Sequence, residues 1–338
     1  MQRELRQRAQ PLVRWEVGLV VVLVAILLLG TRVSSAFLTQ GNLFYLCISI
    51  GEVAIMTLPL TLIIVTGEID LSVASILGLS SAMLGYLTSH GWSVWPSFAA
   101  VLALGAAAGL FNGFLVTRVG LPSLAVTIGT LTLYRGFAVV ILGPNIISTF
   151  PSRFTGIGIN PVDGTFLSWS MLFFLVLAVV FGAVLHLTPL GRSLYAIGLN
   201  TEAALFAGIR VKRIKLWLYA LSGIVCAFAG ILYTFRLSTA VQDNGLGLEL
   251  NVVAIVLLGG VSIFGGRGSI VGVVLGVFVY AALQNVLFLT SFPQRAFGIV
   301  TGCLLLVSVL VPNAGSIARR VRELRKRRLR GRAALEAG

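Results

Sequence analysis

The sequence predicts an all-α, polytopic membrane protein with about ten transmembrane helices. Its composition is the first reason. Hydrophobic residues make up 57% of the 338 residues and charged residues only 11%, whereas soluble domains carry about 25% charged residues. The mean hydropathy of +1.00 agrees with this. The second reason is length, because the apolar residues are gathered into runs that can cross a hydrocarbon core of about 30 Å.

Ten apolar stretches account for the predicted spans. The first and the eighth are short for a full crossing, so their bounds are the least defined. The first stretch also lacks a small-residue cleavage site and is too long for a signal peptide, so we do not expect it to be removed. In chain order the stretches centre on residues 17–30, 43–65, 71–87, 94–116, 123–142, 167–186, 216–235, 251–264, 270–289 and 294–311.

The basic residues are concentrated in connections that share one face if the chain crosses ten times. They precede the first span, fill the sixth connection at 187–215 and crowd the tail from Arg319 to Arg332. By the positive-inside rule this face is cytoplasmic. We therefore expect a basic cytoplasmic N-terminus at 1–15, a membrane domain at 16–312 and a basic cytoplasmic tail at 313–338. Of the 25 Lys and Arg residues, the exceptions are Arg32, Arg135, Arg153, Arg236 and Arg295.

The net charge of +14 admits either a nucleic-acid partner or contact with anionic membrane lipid. Because the basic residues lie on one side, the lipid interpretation is favoured and no nucleic-acid partner is expected. Cys47, Cys226 and Cys303 fall inside apolar stretches, and His90 and His186 are far apart in the chain. We therefore expect no metal site and no cofactor bound by this chain.

The connection at 187–215 contains the pattern of a short helix. Asn200 or Thr201 can cap its start, and Gly208 can end it. A short helix in a cytoplasmic loop of a membrane protein is suited to docking on a soluble partner, which indicates a driven transporter.

The chain lacks the ATP-binding motif G-x-x-x-x-G-K-[ST], and its lysines stand only at positions 212, 215 and 326. We therefore expect that it is not an enzyme and that it does not hydrolyse ATP in the usual way. The run Gly265-Gly266-Arg267-Gly268-Ser269 lacks the strand of a phosphate-binding loop, and a tight cytoplasmic turn is predicted there. No long soluble segment could capture a ligand outside the membrane, so any receptor must be another chain.

Two carboxylates interrupt the apolar runs between the second and third spans. Asp70 can cap a helix that begins at Leu71, and Glu68 lies favourably near the same positive helix end. Alternatively, a broken helix end here offers polar groups to a solute or to a gate.

Five further polar residues lie within predicted spans. Buried charges are costly in a bilayer, so Glu52 and Arg135 are expected to line a cavity or to have a partner, and their pairing with each other is one interpretation. Asn112, Gln284 and Asn285 supply neutral hydrogen-bonding groups of the kind that a hydroxylated solute needs. Bonding between helices is the alternative for each of them.

Several motifs in a fixed order carry a resemblance to a known family, which extends over about residues 42–311. They resemble the permease subunits of ribose-type sugar ABC importers, a family that includes rhamnose and autoinducer-2 permeases and shares a superfamily with branched-chain amino-acid permeases. The motifs are Gly67-Glu68-Ile69-Asp70-Leu71-Ser72-Val73, Asn112-Gly113, Thr127-Ile128-Gly129-Thr130, Tyr134-Arg135-Gly136, Gly191-Arg192 through Gly208, Gly259-Gly260 and Gly265-Gly266-Arg267-Gly268-Ser269.

The resemblance implies a permease of the bacterial plasma (inner) membrane with both termini in the cytoplasm. It implies a second permease chain, in a homodimer or heterodimer, together with ABC ATPase subunits and an extracytoplasmic solute-binding protein. The segment from Glu202 to Gly208 is similar to the E-A-A-x-x-x-G core of the coupling loop that enters the ATPase, the subunit that uses ATP and Mg. The resemblance thereby implies that Glu202, Ala203, Ala204 and Gly208 are the docking residues. This chain departs from the family where Ile214-Lys215-Leu216-Trp217 replaces an I-x-L-P ending and where Gly67-Glu68 replaces a glycine pair.

The expected function is ATP-driven import of a small hydroxylated solute, with a monosaccharide as the leading choice. A permease for branched-chain amino acids or a nucleoside stays open, as does a passive channel or facilitator. An amino acid would require groups for an ammonium and a carboxylate, whereas a sugar needs neutral donors and acceptors with an aromatic platform. An integral membrane enzyme would need convergent nucleophile, base or metal groups, and the sequence offers no such set.

Overall fold

The computed structural model describes residues 2–290, 292–293, 297–308 and 310, with side chains from residue 15 onward. Helices dominate this part of the chain, and two isolated bridges pair Ile147 with Ala240 and Pro161 with Ser168. The helices are α1 (Gln2–Val33), α2 (Gln40–Val65), α3 (Val73–Ser89), α4 (Val94–Phe114, continued by a π-helix at Leu115–Val119), α5 (Ser123–Leu142), α6 (Ser152–Ile159), α7 (Trp169–Leu187), α8 (Pro189–Leu199), α9 (Thr201–Phe206), α10 (Val211–Leu237), α11 (Leu248–Leu258), α12 (Ile270–Leu289) and α13 (Phe297–Ser308).

The all-α membrane class is confirmed. Seven of the described helices are long and apolar enough to cross a membrane, and α3, α11 and α13 are shorter apolar helices. Each of the ten predicted stretches therefore contains a helix. The basic N-terminal segment continues into the first span as one helix, because α1 begins at Gln2. The basic tail at 313–338 and Arg295 lie outside the described residues.

The eighth predicted stretch, 251–264, was wrong in its bounds and in its form. The helix α11 has 11 residues and ends at Leu258, which at 1.5 Å per residue covers about half of a hydrocarbon core. The chain stops being helical at Gly259, and Gly260 has a φ of +84° that side-chain-bearing residues rarely adopt. Residues 238–247, which precede α11, are non-helical.

The core of the bundle is formed by α2, α3 and α10. From Ile50 to Val65 every residue of α2 is buried. The helix α10 packs along α4 because small residues let the two backbones approach closely. A Cβ atom on Gly109 of α4 would lie 2.1 Å from the carbonyl oxygen of Tyr219 in α10. The helix α1 lies outside this core, against α12.

The two ends of the bundle differ in what they carry. We call the end that carries α8, α9 and the turn at 259–269 the coupling face. There the amide of Gly266 donates to the carbonyl oxygen of Val65, 2.8 Å away, which places the end of α2 at this face. The other end, called the opposite face, carries the connection at 143–168 with α6 and is marked by the bridge between Ile147 and Ala240.

Two halves of the chain repeat the same order of elements in inverted orientation. In α2–α5 and in α10–α13, a long helix is followed by a non-helical segment, a short helix and two further helices. The helix α2 ends at the coupling face, whereas α10 begins there, because Lys215 near the start of α10 contacts Glu68 just after α2. Inverted repeats with interrupted helices occur in many membrane transporters. The non-helical segments 66–72 and 238–247 occupy equivalent places in the two halves.

Candidate solute cavity, gate and coupling surface

A cavity of about 500 Å³ opens in the half of the bundle near the opposite face. Its walls come from the first half of α2, the last turns of α10, the start of α11 and the second half of α12. Hydrogen-bonding groups and aromatic rings share the lining. The polar and aromatic lining residues are Tyr45, Ser49, Tyr233, Arg236, Asn251, Tyr280, Gln284, Asn285, Phe288 and Phe297.

The charge on the cavity wall is paired. Arg236 lies with its Nε 3.1 Å from Oε2 of Glu52, and Ser170 donates a hydrogen bond of 2.8 Å to the same carboxylate. Glu52 is only 1% exposed, and the Arg236 guanidinium also stacks 4.8 Å from the ring centroid of Tyr233. The sequence left open a pairing of Glu52 with Arg135, and that interpretation was wrong because Arg236 is the partner.

Gln284 and Asn285 both lie on the cavity wall, in different hydrogen-bonding states. Gln284 donates through Nε2 to the hydroxyl of Tyr280 at 2.8 Å, and its carbonyl oxygen accepts no hydrogen bond within the described residues. Asn285 exchanges two hydrogen bonds with Asn42, at 2.8 and 3.0 Å, and so ties α12 to α2. Gln284 is therefore the better placed of the two to bind a solute.

Glu68 lies away from the cavity, at the coupling face, in an ion pair with Lys215 at 2.5 Å. The neighbouring backbone of Ile69 is held as well. Its amide donates to Ser123 at 3.2 Å, and its carbonyl accepts from Tyr219 at 3.4 Å. These contacts fasten the segment 66–72 to α5 and α10 at this end of the bundle.

Asp70 does not cap a helix starting at Leu71, because α3 begins at Val73. Its carboxylate accepts instead from the amide and the hydroxyl of Ser72, at 2.9 and 2.6 Å, and from the hydroxyl of Ser222 at 3.3 Å. The Ser72 hydroxyl in turn accepts from the side-chain amide of Asn112 at 2.8 Å. Asp70 and Asn112 thus belong to one buried network between α3, α4 and α10.

Arg135 supports the second non-helical segment. Its guanidinium donates to the carbonyl oxygens of Asn244 at 2.6 Å and Gly245 at 2.7 Å, and to that of Ala74 at 3.2 Å. Irregular backbone within a membrane persists only where its polar groups are satisfied. Arg135 therefore holds the interrupted crossing before α11 and does not line the cavity.

The predicted short helix of the 187–215 loop is confirmed as α9. Its cap is Asn200, whose side-chain oxygen accepts from the amide of Ala203 at 2.9 Å. The helix ends before Gly208, which has a φ of +80°. The predicted turn at 265–269 is also confirmed, since the amide of Gly265 bonds to the carbonyl of Ser262 and Ser269 caps α12.

One side chain of α9 is buried and the others are exposed. Glu202 and Ala203 are exposed, whereas Ala204 is buried against Ile197 and Val211 and so packs within its own chain. Phe206, which the sequence analysis overlooked, is 92% exposed. The sequence could have indicated this exposure, because a helix of six residues with one buried side cannot bury every apolar residue that it carries.

The helix α8 was also missed, although Thr188 caps it and Pro189 stands in its first turn. Its last turn packs against both halves of the bundle. A Cβ atom on Gly198 would lie 1.9 Å from the carbonyl oxygen of Val65 and 2.4 Å from the amide nitrogen of Gly266. The surface that carries α9 is therefore joined directly to the end of α2 and to the turn before α12.

Comparisons with known proteins agree on the kind of protein. A family model described as the permease component of the branched-chain amino acid transport system matches residues 42–309. The autoinducer 2 import system permease protein LsrD of Klebsiella pneumoniae is 32% identical over 302 residues, covering 88% of this chain and 90% of the relative. The L-arabinose ABC transporter permease protein AraH of Azospirillum brasilense is 34% identical over 298 residues, covering 87% and 86%.

A further relative is the autoinducer 2 import system permease protein LsrC of Yersinia pseudotuberculosis, 33% identical over 302 residues and covering 87% of this chain and 83% of the relative. No solved structure matches the chain. The family model spans the interrupted helices, the 187–215 loop and the residues of the cavity. The chain therefore belongs to this permease family, whose model is described as the permease component of the branched-chain amino acid transport system.

Proposed function

We propose that the chain is the membrane permease subunit of an ATP-driven ABC importer that moves a monosaccharide, or a small solute with similar hydroxyl groups, into the cytoplasm. The relatives are described as ABC or import-system permeases for L-arabinose and autoinducer 2. One observation of this chain carries the choice of solute: the cavity presents neutral hydrogen-bonding groups and aromatic rings, while its charge is already paired within the protein.

The cavity volume of about 500 Å³ suits a small solute, since ligand pockets measure about 300–1,000 Å³. Tyr45 and Phe288 stack at 4.8 Å between ring centroids and offer an apolar platform beside Gln284. An amino acid would need a cation for its carboxylate and a carboxylate for its ammonium. Among the described lining residues, the charged group is Arg236, and Glu52 already neutralises it.

We further propose that transport alternates between this cavity and an opening at the coupling face. The ion pair between Glu68 and Lys215 would act as the inner gate. Lys215 lies at the start of α10, directly after the loop that carries α9, so a displacement of that loop would act on the gate. Gly198 would give a second route from the loop to the gate. It packs closely against Val65 and Gly266, so a movement of α8 would displace both inverted halves.

The partners follow from this arrangement. An ABC ATPase would bind the exposed side of α9, with Glu202, Ala203 and Phe206 at the contact, and would use ATP and Mg. A solute-binding protein would dock on the opposite face, above the cavity. A second permease chain would complete the membrane unit.

The proposed location is the bacterial inner membrane with both termini in the cytoplasm. Single cysteines at positions in 89–92 and 145–165, in a background without Cys47, Cys226 and Cys303, should react with an impermeant thiol reagent in intact cells. A cysteine at 209 should react only after the cells are broken. Reaction of position 209 in intact cells would reverse the proposed orientation.

The deciding experiment is solute uptake into proteoliposomes that contain this chain with its ATPase and binding protein. Labelled arabinose, ribose, leucine and a nucleoside are compared, each with ATP or with a non-hydrolysable analogue. We expect uptake of a sugar that depends on ATP hydrolysis. Preference for leucine would refute the choice of solute, and equal uptake without hydrolysis would show a passive facilitator instead.

A further inference from the structure

One side of the first half of α10 is exposed, although most of the helix is buried or half-buried. Along this side, which we call the α10 stripe, lie Arg210, Arg213, Trp217, Leu221 and Ile224. Within α10, a spacing of three or four residues places the last four of them on one helical face, and Arg210 is the residue that directly precedes the helix. Trp217 is 59% exposed. The stripe runs from the coupling face into the depth of the membrane.

A groove of about 650 Å³ lies beside the α10 stripe. The helix α8 forms one wall with Leu190 and Ser193, and α10 forms the other wall with Ile214 and Trp217. Residues 207–209, directly after α9, complete the lining at the mouth. The groove is mainly apolar along its length and basic at its mouth, where Arg210 and Arg213 lie. Within the part of the chain that the structure describes, neither arginine forms an ion pair.

The type of side chain along the α10 stripe changes with distance from the start of the helix. At 1.5 Å per residue, Trp217 lies about 9 Å and Leu221 about 15 Å beyond the start of α10. Arginine at the helix end, tryptophan at the interface and aliphatic residues deeper form the pattern of a helix that faces lipid. A soluble ATPase at α9 does not reach Leu221 at that depth. The occupant of the groove must therefore combine an anionic group with an apolar chain.

We propose that the groove binds one anionic phospholipid of the inner leaflet. The phosphate would lie between Arg210 and Arg213, with the Ser193 hydroxyl as a further donor. One acyl chain would follow Ile214 and Trp217 toward Leu221. Basic grooves on the cytoplasmic side of membrane helices are suited to such headgroups, and arginine is suited to phosphate. This inference rests on the proposed orientation, in which the coupling face lies in the cytoplasm, and does not depend on the transported solute.

The test uses the full chain, purified in detergent and stripped of lipid. Native mass spectrometry measures the binding of phosphatidylglycerol and of phosphatidylcholine with the same acyl chains. The variant is Arg210→Gln with Arg213→Gln. The matched control is Arg118→Gln, which removes an exposed arginine of the same face on a different helix. Thermal unfolding confirms that each variant is folded before it is compared.

We expect wild type to select phosphatidylglycerol. The double variant should bind it about 30-fold more weakly, since each basic side chain near an anionic lipid contributes about fivefold. Arg118→Gln should bind as wild type does. Equal binding of the two lipids by wild type, or unchanged binding by the folded double variant, would overturn the proposal. Competition by glycerol phosphate at the same concentration would assign the arginines to a free phosphate and also overturn it.

A second measurement locates the acyl chain. Phosphatidylglycerol brominated on its chains should quench tryptophan fluorescence, and Trp217→Phe should remove a quenched component. If a second copy of the chain covered the stripe instead, Trp217 would be shielded and the variant would quench as wild type does. That result would overturn the lipid site in favour of an interface between copies.

Discussion

Arg236 and Glu52 join the last turn of α10 to the middle of α2 across the wall of the cavity, with 3.1 Å between Nε and Oε2. The carboxylate is almost fully buried, and Ser170 of α7 also donates to it. One ion pair thus fixes three helices around the opening and removes the net charge from the cavity surface. The pair has a structural role and an electrostatic role, and substitutions can separate them.

The Glu52→Gln variant should be strongly destabilised, because Arg236 would keep its charge without its buried partner. Removal of one member of a buried pair costs about 3–5 kcal/mol. The double variant Glu52→Leu with Arg236→Leu should recover most of this loss, since no unpaired charge remains. Thermal unfolding in detergent measures both effects. An unchanged Glu52→Gln protein would show that the pair contributes little.

The Gln284→Leu variant should weaken solute uptake while the protein stays at its normal level in the membrane. The carbonyl oxygen of Gln284 would accept one solute hydroxyl, and loss of one such hydrogen bond corresponds to about a tenfold rise in KM. The control is Thr290→Val, which removes a polar group just after α12, outside the cavity lining. Initial uptake rates over a range of solute concentrations provide the measurement. A normal KM would remove Gln284 from the solute path.

The Lys215→Met variant should loosen the inner gate. The ion pair with Glu68 is partly exposed, so its loss should shift the gate by about 1 kcal/mol at most. Such a shift corresponds to about a fivefold rise in ATP hydrolysis without solute. The exchange of Glu68→Lys with Lys215→Glu should restore coupling. Lys212→Met, on an exposed neighbour, should behave as wild type, and a rise of the same size there would refute the gate.

Local signals account for the parts of the fold that the sequence predicted. The helix α5 has the predicted bounds of 123–142, because Pro122 precedes it and Gly143 follows it. The same holds for α9, where Asn200 and Gly208 act within a few residues of the helix. The coarse class follows from composition alone, since long apolar runs cannot fold in water without aggregation.

The failures share a different cause, which is dependence on distant contacts. Arg236 lies 184 residues from Glu52, and no local pattern indicates that pairing. The apolar run through Val261 and Phe264 hid the early end of α11, because composition stays apolar where the glycine backbone turns. Asp70 resembled a helix cap, but its neighbour Ser72 and the distant Ser222 take its oxygens. Tertiary contacts, and not local sequence patterns, therefore determine which polar residues line the cavity.

The coupling surface gives the last prediction. Gly208→Val should abolish ATP-driven uptake, because a β-branched residue is strained at a φ of +80° and the end of α9 would change direction. The matched control is Gly129→Val, since Gly129 is helical, exposed and has open space at its Cβ position. Normal insertion of both variants is checked by their abundance in the membrane.

Two variants on the exposed side of α9 then test the side-chain contact with the ATPase, separately from the backbone conformation at Gly208. Ala203→Trp should block the approach of the ATPase to the exposed side of α9, and Phe206→Ala should remove its largest exposed apolar group. A buried hot-spot aromatic contributes about 2 kcal/mol or more to an interface, so Phe206→Ala should weaken ATPase binding about 30-fold. The assays are copurification with the ATPase and solute-stimulated ATP hydrolysis in reconstituted complexes. Wild-type stimulation in Gly208→Val, Ala203→Trp and Phe206→Ala would show that α9 is not the coupling helix, and that the ATPase binds elsewhere on the coupling face.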